Sequence, residues 1–221
     1  ILINLTAYTQ KPLVKGDTLI FFDEIQECPS ARTAIKFLVD DGQFDYIESG
    51  SLLGVRYKEV KSYPVGYEEN YRMYPLDFEE FATANGIQPQ TIEYLKKCYD
   101  NKETVTEAVH QSMLKLFQYY IIVGGMPAVV QKFVDTKDIG EVLKIQKDIL
   151  DLYRQDISKY SDNNKEKIKS IFDLIPAQLN DRNRRFTLSD IKNSARMLRY
   201  ETSFNWLADA GVALPCYNIT E

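Results

Sequence analysis

The sequence predicts an α/β domain followed by an all-α part, and three observations lead to this fold class. The apolar run Thr18–Phe22 ends in two adjacent carboxylates, Asp23 and Glu24. A helical pattern and a second strand pattern, Phe44–Ser49, come next, and this strand–helix–strand order implies a parallel sheet. From Thr91 onward the apolar residues recur at helical spacing. The chain therefore divides into a sheet-containing part and a helical part.

Length and composition restrict the class of protein. The chain has 221 residues, 27 basic and 32 acidic side chains, a net charge of -5 and 44% hydrophobic residues. This composition excludes a disordered chain, and its mild acidity argues against a protein that coats nucleic acid or anionic membranes along its whole surface. Three widely separated cysteines without metal-ligand spacing favour a reducing compartment. We find no apolar run of about 20 residues and no signal-peptide pattern, so we predict a cytoplasmic protein without membrane contact.

The first strand carries the first candidate site. Thr18–Phe22 is apolar without alternation, which predicts a strand buried on both faces of a parallel sheet. Ligands of open α/β sheets bind beyond the carboxyl ends of the strands, where Asp23 and Glu24 fall. Two carboxylates there suit a hydrated Mg²⁺ on a nucleotide and a group that orients or deprotonates water. Alternatively, the two acids only open the next helix, whose dipole favours them.

Neighbouring segments complete the predicted α/β part. Ile1–Leu5 is interpreted as a further buried strand, and because the chain does not begin with Met we expect it to be a fragment. A helix is predicted from Ala31 to about Asp40, with Ser30 as its cap and the turn residue Gly42 at its end.

The second strand ends in Ser49-Gly50-Ser51. In P-loop nucleotide hydrolases of the AAA type, one strand ends in an acidic pair and its neighbour ends in a polar residue that contacts the attacking water or the γ-phosphate. The order of Asp23-Glu24 and Ser49-Gly50-Ser51 fits that arrangement. The alternative is an ordinary turn, in which Ser and Gly are common.

An ordered set of segments resembles a widespread prokaryotic family of AAA-type ATP-binding proteins with a C-terminal domain of unknown function. The set covers essentially the whole chain and consists of Thr18–Gln26, Tyr46–Gly54, Pro64–Gly66, Tyr74–Phe81, Gly124–Pro127, Ile175–Leu179 and Tyr200–Gly211.

This resemblance implies roles for four residues. Asp23 would be the Walker B aspartate that acts on Mg²⁺, Glu24 the catalytic base and Ser49 the sensor, with Ser51 nearby; the cofactors would be ATP and Mg²⁺. The family's phosphate-binding loop, Gly-x-x-x-x-Gly-Lys-Ser/Thr, does not occur in the 221 residues. We therefore expect this chain by itself to bind ATP weakly or not at all.

The helical part begins with clear cap signals. Asp77 is predicted to cap a helix over Phe78–Ala84, and Thr104-x-x-Glu107 reads as a capping box before a longer helix that Gly124-Gly125 breaks. Further helices are predicted over Thr91–Cys98, Ala128–Phe133, Ile139–Tyr153, Glu166–Leu179, Thr187–Met197 and Tyr200–Ala210.

The C-terminal pattern of three helices and a strand, Val212–Asn218, is typical of a winged helix. The third helix, Tyr200–Ala210, lacks Lys and Arg and is poorly suited to reading bases, whereas Arg184 and Arg185 could contact DNA phosphates. We favour a packing or coupling role for this module.

These observations predict three parts: a partial P-loop ATPase core over residues 1–85, a helical lid over 86–160 and a winged-helix-like module over 161–221. The leading interpretation is a portion of an AAA-type ATPase that hydrolyses ATP with Mg²⁺ to drive a conformational switch. The alternative is a DNA-binding or protein-interaction module with a degenerate ATPase half.

Overall fold

A computed structural model of the chain describes residues 2–50, 66–160, 164–182, 186–191 and 197–216. The chain forms two compact units, one made of Ile1–Asn70 with Ile157–Glu221 and the other of Tyr71–Asp156. The described part is mostly helical and contains a two-stranded parallel sheet. The helices are α1 Leu2–Thr9, α2 Pro29–Asp41, α3 Phe78–Ala84, α4 Pro89–Asn101, α5 Glu107–Val123, α6 Pro127–Thr136, α7 Ile139–Tyr160, α8 Lys165–Asn180 and α9 Met197–Asp209.

The sheet pairs β1, Leu19–Phe22, with β2, Asp45–Glu48. The strands are parallel and α2 connects them, which confirms the predicted strand–helix–strand unit. In the register Ile20 lies opposite Tyr46, and Phe22 lies opposite Glu48. The two strands therefore end at the same edge of the sheet.

The prediction that the first strand is buried on both faces is wrong. Ile20 is buried, but Leu19 and Phe21 are 56% and 57% exposed on the opposite face. Within the described residues, α2 covers only the face that carries Phe22 and Glu48, as the contact of Arg32 with Glu48 shows. An unbroken apolar run does not reveal which face a neighbouring element will cover.

The strand predicted over Ile1–Leu5 is also wrong, because Leu2–Thr9 is the helix α1. Within this helix the hydroxyl of Thr6 also donates a hydrogen bond to the carbonyl of Leu2, one turn earlier, at 3.1 Å. A run of five apolar and polar residues is too short to distinguish strand from helix by its period.

Helix α2 begins earlier than predicted. Its N-cap is Cys28 and Pro29 occupies the first turn, so Ser30 lies inside the helix and is not its cap. Proline favours this position because its missing N–H would be unpaired there in any case. The predicted end is confirmed, since Gly42 takes the left-handed conformation with φ 61.

The second unit is built around a buried apolar cluster. Its fully buried members are Phe81, Val123, Val129, Val130, Phe133 and Val142. The break at Gly124-Gly125 is confirmed, and it lets the backbone of Gly125 approach Leu76, whose N–H donates to the Gly125 carbonyl at 2.8 Å. This contact joins the segment before α3 to the turn after α5.

Two predicted helix caps in this unit have opposite outcomes. Asp77 caps α3 as predicted, because its side chain accepts from the N–H of Glu80 while the Glu80 side chain accepts from the N–H of Asp77. The capping box at Thr104 is wrong, since the N-cap of α5 is Thr106 and no side-chain bond caps the helix. The hydroxyl of Tyr94 lies 3.2 Å from the N of Thr106 and accepts its hydrogen bond.

The C-terminal segments contain the helices α8 and α9. They meet where the Lys167 amino group donates to the Arg199 carbonyl at 3.3 Å and lies 5.8 Å from the centroid of the Tyr200 ring. Pro176 lies inside α8 without ending it. Of the helix predicted over Thr187–Met197, the structure describes a 3-10 turn, Leu188–Asp190, and residues 192–196 lie outside the described ranges.

The strand predicted over Val212–Asn218 is wrong for residues 212–216, and its last two residues lie outside the described ranges. The N–H groups of Val212 and Ala213 bond the carbonyl of Leu207 at 3.0 and 3.2 Å, which ends α9 and uses donors that a strand would need. A winged helix therefore stays a prediction. In the described ranges, none of the helices has the length and apolarity needed to cross a membrane.

Candidate active site

The candidate site lies where β1 and β2 end. The N–H of Ser49, directly after β2, donates to the carbonyl of Phe22 at 2.9 Å, and the N–H of Ile25 donates to the carbonyl of Ser49 at 3.0 Å. Ser49 therefore bonds both the last residue of β1 and Ile25, three residues further along the chain. This pairing extends the sheet beyond its last regular residues and fixes the edge.

Asp23 and Ser49 meet at this edge. The hydroxyl of Ser49 donates a hydrogen bond to Oδ1 of Asp23. The two residues are 26 positions apart in the sequence, and they meet because parallel strands end at the same edge of a sheet. The Asp23 side chain is exposed, so its carboxylate is accessible from solvent.

Glu24 has an unusual backbone conformation. Its φ of 50 and ψ of 46 place it in the left-handed region, where a side chain with a Cβ costs about 1–2 kcal/mol. It precedes the 3-10 turn Ile25–Glu27, and α2 starts only at Pro29 with no acid in its first turn. Asp23 and Glu24 therefore do not open α2, contrary to the simpler alternative.

Gln26 holds the Glu24 carboxylate, a contact that the sequence analysis missed. Its Nε2 donates to Oε2 of Glu24, while its Oε1 is buried and has no hydrogen-bond partner among the described residues. Spacing alone gave no signal for this contact, because the left-handed turn at Glu24 brings the two side chains together.

A buried arginine adjoins the end of β2 and was also missed. Arg32 of α2 is 2% exposed and its guanidinium bonds Oε2 of Glu48 at 2.7 Å and a carboxylate oxygen of Glu68. The sequence could have indicated this burial, because Arg32 lies three residues before Ile35 and so on the same, buried face of α2. Glu48 immediately precedes Ser49, so this ion cluster adjoins the candidate site.

The pKa values of Glu48 and Cys28, which flank the candidate site in the sequence, are shifted. Burial raises the pKa of the Glu48 carboxyl, Arg32 opposes that shift, and the negative charge of Glu68 adds to it. The pKa of the Cys28 thiol is lowered, first by its hydrogen bond with the Ser30 side chain and then by the backbone N–H of Ala31.

The donor atoms at the edge fit a magnesium ion that a nucleotide would share. Asp23 supplies a carboxylate and Ser49 a hydroxyl, and Mg²⁺ prefers oxygen ligands, keeps several waters and takes one or two protein groups. Within the residues that the structure describes, no group of three or more His, Cys, Asp and Glu side chains could hold a metal alone. An ion at this edge would therefore need further ligands, which nucleotide phosphates and water can supply.

Three predicted site residues lie outside the described ranges. These are Ser51 of the predicted sensor loop and the two predicted DNA contacts, Arg184 and Arg185. The structure places Asp23, Glu24 and Ser49 together around one sheet edge.

Comparison with protein families gives two matches. Residues 2–82 match an AAA domain, and residues 114–221 match a domain of unknown function, DUF8612. The AAA match contains Asp23, Glu24 and the second strand end, and it confirms the AAA part of the predicted resemblance. Searches of curated proteins and of solved structures found no match.

Proposed function

We propose that residues 2–82 contribute the hydrolytic edge of an AAA-type ATPase, with Asp23, Glu24 and Ser49 as its working residues. The observation that carries this proposal is the hydrogen bond between Ser49 and Asp23 across the carboxyl edge of two parallel strands. The match of this segment to an AAA domain supports it, since the fold that binds nucleotides of this class places an acidic strand end at that edge.

Asp23 would hold Mg²⁺, in part through water. When bound with ATP, the ion would neutralise charge that develops on the phosphates. Ser49 donates to one oxygen of Asp23, which leaves the other oxygen for a metal-bound water. By resemblance Ser49 is also the sensor residue, and Ser51 would assist it.

Glu24 would orient the attacking water and accept its proton, with ADP and phosphate as products. Its left-handed backbone turns the chain sharply away from β1, and Gln26 restrains its carboxylate. Strained backbone of this kind clusters at functional sites, and the observed outlier supports this role for Glu24.

The proposed reaction needs a phosphate-binding loop. No Gly-x-x-x-x-Gly-Lys-Ser/Thr motif occurs in the 221 residues, and that loop supplies the N–H groups and lysine that hold phosphates. We therefore expect weak or undetectable Mg-ATP binding by this chain alone. The tests of turnover use the full-length gene product, in which hydrolysis would drive a conformational switch.

The test compares ATP turnover and Mg-ATP binding among three variants. Glu24→Gln should lower kcat by about 10²–10⁴ and retain binding, because a positioned general base contributes that much. Asp23→Asn should raise the Mg²⁺ concentration that half-maximal turnover requires, because it removes the carboxylate that would hold the ion. Glu27→Gln, an exposed acid three residues beyond Glu24, is the matched control and should keep wild-type turnover. Equal turnover in Glu24→Gln and Glu27→Gln would refute the proposal.

The alternative function, a DNA-binding or protein-interaction module, depends on Arg184 and Arg185. These residues lie outside the described ranges, and no specific observation favours this function over ATP hydrolysis. It predicts duplex-DNA binding that weakens with salt and with replacement of both arginines, because phosphate contacts release counterions.

A further inference from the structure

The ion cluster around Arg32 is the most deeply buried group of charges in the described chain. Arg32 is 2% exposed, and the side chains of its partners Glu48 and Glu68 are 15% and 23% exposed. Among the described residues, two carboxylates share this one guanidinium. Such clusters contribute little net stability, because desolvation of the charges offsets their attraction.

The cluster joins three separate segments of the chain. Arg32 belongs to α2, Glu48 ends β2, and Glu68 lies 36 residues beyond Arg32. One helical turn after Arg32, the Lys36 amino group lies 5.3 Å from the centroid of the Tyr67 ring. One face of α2 therefore holds both the end of β2 and the segment around Glu68.

The position of Glu48 connects this cluster to the candidate site. Glu48 directly precedes Ser49, which makes backbone bonds with Phe22 and Ile25 and donates its hydroxyl to Asp23. Oε1 of Glu48 is buried and has no hydrogen-bond partner among the described residues, and Arg32 is the cation that bonds the other oxygen of this carboxylate. Without Arg32, Glu48 and Glu68 would repel each other and move towards solvent, and Ser49 would move with Glu48.

We propose that Arg32 is a positioning residue: it clamps Glu48 and Glu68 and thereby holds Ser49 against Asp23. The consequence for turnover rests on the proposed ATPase function, whereas the clamp itself does not. Arg32 bonds Glu48 and Glu68, and it acts on Ser49 through the backbone that links Glu48 to Ser49.

Amide hydrogen exchange on the 221-residue chain tests the clamp without reference to activity. The reporters are the N–H groups of Ser49 and Ile25, which bond the carbonyls of Phe22 and Ser49. Arg32→Met should speed their exchange by about tenfold or more, as local opening does when a restraint is lost. Ile168, a buried residue of α8, supplies the reference amide and should keep its exchange rate.

Two variants serve as comparisons. Lys96→Met removes an exposed ion pair with Glu79 and should leave the exchange of Ser49 and Ile25 unchanged. Arg32→Lys keeps the charge but cannot bridge two carboxylates with a planar fork, so its exchange rates should fall between those of wild type and Arg32→Met. If Arg32→Met does not fold, a smaller increase confined to Ser49 and Ile25 is expected in Arg32→Lys relative to wild type.

Turnover of the full-length gene product tests the catalytic consequence. Arg32→Met should lower kcat with little change in KM for ATP, and Arg32→Lys should restore part of kcat, because Arg32 supports the hydrolytic edge and does not bind nucleotide. Unchanged exchange at Ser49 and Ile25, or an equal increase at Ile168, would overturn the clamp. Faster local exchange in a protein whose wild type has no turnover would support the clamp and contradict only the ATPase function.

Discussion

The strained backbone at Glu24 predicts an unusual order of stability for two substitutions. Replacement of Glu24 by alanine removes the side chain beyond the Cβ, whereas replacement by glycine removes the Cβ as well. Because φ is 50 at this position, a residue with a Cβ costs about 1–2 kcal/mol and glycine does not. The greater freedom of glycine in the unfolded chain costs about 0.4–1 kcal/mol. Glu24→Gly should therefore be more stable than Glu24→Ala by roughly 0.5–1 kcal/mol.

Urea unfolding of both variants, followed by circular dichroism, measures this difference. Both substitutions lose the contact with Gln26, so that loss cancels in the comparison. Glu27 provides the control pair, because it lies in the 3-10 turn and not in the left-handed region. There alanine should be the more stable substitution, by roughly 0.5–1 kcal/mol. A Glu24→Ala variant as stable as Glu24→Gly would refute the assignment of strain to this residue.

Three further predictions concern other positions. Gly125→Ala should lower the free energy of unfolding in urea by about 2–3 kcal/mol. The added Cβ would lie 2.1 Å from the Leu76 carbonyl oxygen and would break the backbone hydrogen bond between these residues. A loss below about 0.5 kcal/mol would contradict the close approach. The lowered pKa of Cys28 rests first on Ser30, so Ser30→Ala should raise it and shift the pH profile of iodoacetamide modification at Cys28 to higher pH, as rates measured by mass spectrometry would show. Coincident Cys28 profiles in wild type and Ser30→Ala would contradict this cause. Asp77→Ala should lower the free energy of unfolding by about 1 kcal/mol, because it removes the capping box. An unchanged free energy of unfolding in urea would be inconsistent with that cap.

Local patterns predicted the order of elements around the site. The run at Thr18–Phe22, the helix after it and the strand near Phe44–Ser49 each carry a signal within their own residues. The cap at Asp77 was predictable for the same reason, since both partners of the capping box lie within one turn. Features with local causes were therefore accessible from the sequence.

Two features were mispredicted or missed because they depend on a distant partner. The cap expected at Thr104 is absent because α5 begins after Thr106, whose N–H bonds Tyr94, 12 residues away. The charge of Arg32 on the buried face of α2 is paired with Glu48 and Glu68, which lie 16 and 36 residues away in the sequence. Neither contact leaves a periodic signal, since periodicity reports which face is buried and not what lies against it.

One part of the candidate site was predictable from the sequence and another part was not. The meeting of Asp23 and Ser49 followed from the topology of parallel strands, which brings strand ends to one edge. The left-handed conformation of Glu24 and its contact with Gln26 had no such signal, because side chains other than glycine rarely adopt this conformation.

ATP turnover by the full-length gene product, compared between wild type and Glu24→Gln at saturating Mg-ATP, tests the central claim most directly. We predict measurable turnover in the wild type and a loss of about 10²–10⁴ in kcat in the variant, because the proposed base can no longer accept a proton. Turnover that survives in Glu24→Gln, or a wild type that binds Mg-ATP without hydrolysing it, would contradict the assignment of Glu24 as the base.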